Sequence, residues 1–79
     1  MDRNVVFGKV KQYILNQLPI DDAQVVESAR LIEDLGADSA NLMMLIMDLE
    51  EEFGMTVEDE ALGAIKTVGD IVDYIAKKG

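Results

Sequence analysis

Leu31-Ile32-Glu33-Asp34-Leu35-Gly36-Ala37-Asp38-Ser39 runs directly into Ala40-Asn41-Leu42-Met43-Met44-Leu45-Ile46-Met47-Asp48-Leu49-Glu50-Glu51-Glu52-Phe53. Gly36 breaks the preceding chain and Asp38 is a good helix N-cap, after which apolar residues recur at helical spacing. Gly54 supplies the stop. The stretch therefore predicts a helix that starts at Asp38 and runs to Phe53.

Wound at about 100° per residue, that helix sorts its side chains into two apolar groups. Leu42, Leu45, Ile46, Leu49 and Phe53 form one stripe, the expected core face. Ala40, Met44 and Met47 lie nearly opposite, with Met43 to one side and Glu51 on the same outer face. A helix in a small bundle is ordinarily polar on its outer side. Methionines there favour a docking surface for a partner over chance exposure.

Working outward, Val6, Val10, Ile14 and Leu18 recur at helical spacing over residues 3–18, supported by Tyr13. Pro19 ends that helix, because it cannot donate to the ladder and restrains Leu18 before it. Residues 19–38 form a connection that is long for a compact domain. Ile20, Val25, Leu31, Ile32 and Leu35 punctuate it, so it reads as a loop pinned across the core with a short helical turn. A short acidic helix is expected over residues 57–64. A last helix opens at Thr67-Val68-Gly69-Asp70, a capping box with Asp in place of Glu, and ends near Lys77-Lys78-Gly79. No segment reads as a strand. The expected fold is an all-α four-helix bundle, three longer helices and one short, in a single domain over residues 1–79.

The chain has 79 residues, of which 49% are hydrophobic, enough for one folded core. It contains no Cys and no His, so disulfides, zinc-type clusters and thiol or imidazole nucleophiles are excluded. The formal net charge of −9 disfavours nucleic acid and anionic membrane surfaces and suits basic protein partners. The longest apolar run, residues 42–47, is far short of a membrane span, and no signal-peptide pattern opens the chain. A cytoplasmic monomer is expected.

Ser39 has no base beside it for intrinsic catalysis: there is no His for a triad, no Gly-x-Ser-x-Gly elbow and no Lys nearby in sequence. At a helix start, however, unpaired N–H groups and the positive dipole end favour an anion. Asp34 and Asp38 would oppose a free phosphate but suit recognition by a basic enzyme, or a divalent metal held during a transfer reaction. On the residues alone, Ser39 is either a plain helix-start residue or the point where a phosphate is attached.

The run from Glu33 to Ser39, followed at this distance by Leu49-Glu50-Glu51-Glu52-Phe53, resembles the acyl carrier proteins of bacterial fatty acid synthesis. The similarity extends over nearly the whole chain, through Val10-Lys11, Gln17-Leu18, Val25, Thr67-Val68 and Asp73-Tyr74-Ile75. The resemblance implies a non-catalytic carrier. Ser39 takes the position of the serine that receives 4′-phosphopantetheine from coenzyme A through a Mg²⁺-dependent phosphopantetheinyl transferase, with Asp38 as cap and recognition residue. The arm's thiol then carries acyl groups as thioesters between acyl-processing enzymes with basic or apolar docking patches. In the family the acyl chain folds back into the bundle; apolar patterning nominates Leu42, Leu45, Ile46, Leu49, Leu62, Ile65 and Ile71 as its lining. Asp34, Ala40, Met43, Met44, Met47, Asp48 and Glu51 are the expected partner-facing residues.

The chain departs from the family pattern just past the serine, with Ala40 where most members have Leu, and with Asn41 and Met44 where acidic residues are common. The departures suggest a specialised carrier for a dedicated pathway. A carrier for a polyketide, an aminoacyl group or D-alanine, or an unmodified helical interaction module, are the alternatives.

Overall fold

The computed structural model describes residues 2–78. Four α-helices follow in order: α1 (Arg3–Gln17), α2 (Ser39–Phe53), α3 (Asp59–Ala64) and α4 (Val68–Lys78), with a 3₁₀ turn at Asp22–Gln24 between the first two. Among the described residues there is no strand, only an isolated antiparallel bridge between Arg30 and Thr67. The all-α, four-helix expectation holds. The closing Gly79 lies outside the described residues.

α1 is capped by Asp2, whose carboxylate accepts from the Asn4 N–H at 2.8 Å. Its C-cap is Leu18, which is extended as a residue before proline should be. Its apolar row Val6, Val10 and Ile14 is buried and packs against α4 and α2. α4 contributes Val68, Ile71, Val72 and Ile75, and α2 contributes Leu45, Ile46 and Leu49. Burying each of these side chains fully is worth about 1.5–3 kcal/mol, which lets 79 residues fold without a disulfide or metal. The Tyr13 hydroxyl donates to Glu52 at 2.6 Å and ties the outer edges of α1 and α2 together.

The long connection is pinned by more than its apolar residues. Val25, Leu31 and Leu35 enter the core as expected. Backbone hydrogen bonds then fasten it to the start of α4: Leu31 N–H to Lys66 O (2.9 Å), Val68 N–H to Ala29 O (3.0 Å) and Gly69 N–H to Glu27 O (2.9 Å). A Cβ at Gly69 would sit 3.0 Å from the Glu27 carbonyl oxygen, so the absence of a side chain lets the strands of chain approach. Arg3 adds a surface link, donating through both terminal nitrogens to Glu27 and through Nε to Asp73.

Two boundaries differ from expectation. α3 is shorter than residues 57–64, because Val57 is buried outside the helix and Glu58 is extended before the helix opens at Asp59. Ile32 does not pin the loop: it is 55% exposed, since the turn that follows Arg30 points it outward while Leu31 and Leu35 point in.

Candidate functional site

Ser39 is the first residue of α2 and is exposed. The chain reaches it through a tight turn in which Asp34 and Leu35 N–H donate to Arg30 O, Gly36 N–H to Ile32 O and Ala37 N–H to Leu31 O. Gly36 has φ +76°, a conformation that only glycine adopts without strain, and Ala37 is buried beside it. Asp38 then caps the helix: its carboxylate accepts from Asn41 N–H at 2.8 Å while its own N–H donates to the Asn41 amide oxygen at 3.2 Å. The cap occupies the N–H at the third helical position. In an α-helix the N–H groups of the first two positions, here Ser39 and Ala40, have no partner within the helix. An exposed hydroxyl therefore stands beside donors and a positive dipole end suited to a phosphate.

Asp34 is engaged within the turn. It accepts from the Arg30 N–H at 2.8 Å and from the Arg30 guanidinium at 3.3 and 3.4 Å. The backbone N–H first, and then the guanidinium, hold its carboxyl below the usual carboxylate range. Arg30 also pairs with Glu33 at 2.6 Å.

The outer face of α2 follows the winding expectation. Met43, Met44 and Met47 are 51%, 57% and 61% exposed, and Ala40 and Glu51 are exposed with them. Asp48 is half-buried beside Tyr13, Glu51 and Glu52, toward α1. The three methionines and Ala40 thus share the surface that leads away from Ser39, while acidic side chains border it.

A largely apolar cleft of about 260 Å³ opens between the loop, α2 and α3, lined by Leu31, Ile32, Leu42, Leu62 and Ile65 with Arg30 and Lys66 among its polar residues. Leu42 lies three residues along α2 from Ser39 and belongs to this wall. Of the seven proposed lining residues, Leu42, Leu62 and Ile65 face the cleft. Leu45 borders a much smaller void toward α1, and Ile46, Leu49 and Ile71 are buried in the core.

Three residues at the site carry roles that the sequence reading did not assign. Asn41 is the reciprocal half of the Asp38 cap, a relation legible in Asp-x-x-Asn had Asn been allowed to replace Glu. Ile32 lines the cleft, and its neighbour relations gave no sign of it. Gln17 reaches α2 from the end of α1, which no local pattern reveals. Among the described residues no group of three or more Asp or Glu is placed to hold a metal ion, and no helix is long and apolar enough to cross a membrane.

The phosphopantetheine attachment site family matches the chain over residues 8–75. An acyl carrier protein of Thermotoga maritima is 55% identical over 76 residues, covering 96% of this chain and 94% of that protein. The solved structure of an acyl carrier protein from Enterococcus faecalis, described for its high thermal stability, superposes with a TM-score of 0.85 at 39% identity, with both chains covered in full.

Proposed function

Because the chain belongs to the acyl carrier proteins, a family of non-catalytic carriers with a covalent 4′-phosphopantetheine, we propose that Ser39 is the residue that bears the arm. The carrier role lies in fatty acid synthesis. The observation that supports Ser39 is its place at the first position of α2, exposed, with the Asp38–Asn41 cap fixing the turn around it. Its hydroxyl would attack the pantetheine-side phosphorus of coenzyme A, forming the Ser39 Oγ–P bond as the pyrophosphate P–O bond breaks. The leaving group is 3′,5′-adenosine bisphosphate, and the hydroxyl proton is given up to the transferase or solvent. The N–H groups of the first turn would face the phosphate.

When bound, the arm supplies a thiol, which a chain without Cys lacks. The cleft beside Leu42, Leu62 and Ile65 would receive the acyl chain, with Leu45, Ile46, Leu49 and Ile71 as the core beneath it. Each buried CH₂ would contribute up to about 0.8 kcal/mol, less whatever the core gives up on opening. The transferase, which uses Mg²⁺, and the acyl-processing enzymes would dock on Ala40, Met43, Met44 and Met47, with Asp48 and Glu51 attracting basic side chains and Asp34 bordering the approach to Ser39. We read the protein as one cytoplasmic, monomeric carrier domain.

The test is intact mass after incubation with coenzyme A, Mg²⁺ and a broad-specificity phosphopantetheinyl transferase. A gain of one arm in the wild-type protein and none in Ser39→Ala is expected. No gain in wild type with several transferases overturns the assignment.

A further inference from the structure

Gln17, the last residue of α1, is half-buried, and its amide lies 3.0 Å from two backbone atoms of α2, the Asn41 carbonyl oxygen and the Leu45 nitrogen. The amide orientation is assigned from these neighbours. With its nitrogen toward the carbonyl and its oxygen toward the N–H, both contacts are hydrogen bonds. The opposite orientation sets oxygen against oxygen and nitrogen against nitrogen, and offers only a long 3.4 Å bond to the Asp48 carboxylate. Two bonds of 3.0 Å outweigh one at 3.4 Å.

Asn41 and Leu45 are four residues apart, so Gln17 engages a carbonyl and an N–H that the helix ladder itself pairs. Ile14, Leu18, Leu31, Ala37 and Leu42 wall the contact, leaving about 10 Å³ free, the lower limit for one water. Asn41 is also the residue whose N–H and side chain close the cap with Asp38. Gln17 holds Asn41, Asn41 and Asp38 hold each other, and Ser39 follows Asp38 directly.

We infer that Gln17 is a positioning residue for the modification of Ser39, fixing the first turn of α2 from the end of α1. The inference rests on Ser39 being the attachment residue. Group transfer is sensitive to misplacement of the accepting atom, so a loosened first turn slows turnover even when docking is intact. The exposed methionine face does not include Gln17, and substrate recognition by the transferase should not change with it.

Gln17→Met keeps the length and helix propensity while removing both hydrogen bonds. Transferase kinetics read by intact mass, corrected for the folded fraction measured by circular dichroism, should show a several-fold lower kcat with KM unchanged. Amide exchange at Leu45 should quicken in the same variant. Gln17→Glu, which keeps an acceptor for Leu45 but at neutral pH has no proton for Asn41, is the second variant and should change kcat in the same direction. Wild-type kcat in the folded variants overturns the positioning role alone. Absence of any mass gain in wild-type protein overturns the Ser39 assignment, and this role with it.

Discussion

Asp38 and Asn41 exchange hydrogen bonds across the first turn of α2, 2.8 Å from the Asn41 N–H to the Asp38 carboxylate and 3.2 Å from the Asp38 N–H back to the Asn41 amide oxygen. Asn41 reads in the sequence as the loss of an acidic partner contact. In the fold it is half of the cap that precedes Ser39. Asn41→Ala should therefore lower the melting temperature and slow arm attachment, while Asn41→Glu, which restores a capping box, should retain both. A melting temperature unchanged in Asn41→Ala would show that the reciprocal bond adds nothing.

Thr67 and Asp70 form the matching device on α4. The Asp70 N–H donates to Thr67 Oγ1 at 3.1 Å, and the Asp70 carboxylate accepts from the Lys66 and Thr67 N–H groups at 3.0 and 3.1 Å. Thr67→Ala should cost about 1 kcal/mol of stability in urea unfolding, with an unchanged slope against denaturant.

Two glycines should respond to alanine in opposite directions. Gly36 has φ +76° with nothing within 4 Å of an added Cβ, so Gly36→Ala strains only the backbone and should destabilise by about 1–2 kcal/mol. Gly8 lies inside α1, also with open space around it, and Gly8→Ala should stabilise by about 0.5–1 kcal/mol. Paired denaturant melts check both signs.

Asp34 supplies a pH dependence. Its folded-state pKa is lowered, chiefly by the Arg30 N–H and then by the guanidinium. The stability it adds is fully present above its unfolded value, near pH 4, and is lost as pH falls through the lower folded value. The gap in melting temperature between wild type and Asp34→Ala should be constant at neutral pH and narrow below about pH 4. A gap that persists unchanged at pH 2 would show that the side chain acts by something other than its charge.

The outer face of α2 yields a recognition prediction. Ala40 and Met44 are both exposed, so Ala40→Leu and Met44→Glu alter that surface without touching the core. If this carrier serves a dedicated pathway, the double variant should be loaded and elongated more efficiently by general fatty acid synthase enzymes. Equal rates for the variant and wild type would count against specialisation.

Local chemistry by itself determined much of this protein. Helical spacing, Pro19, Gly54 and the caps at Asp38 and Thr67 mark the elements because each acts within a few residues of its own backbone. The two faces of α2 are legible for the same reason, since side chains three and four apart share a side of any helix. Tertiary structure decided the rest: which way Ile32 points, how residues 27–31 bond to the start of α4, where the cleft opens, and that Gln17 reaches Asn41 and Leu45. Those relations join residues far apart in the chain. They depend on how α1, α2 and the long loop pack together, which no local pattern encodes. The start of α2 at Asp38 was written in the sequence; what holds that start in place comes partly from another helix.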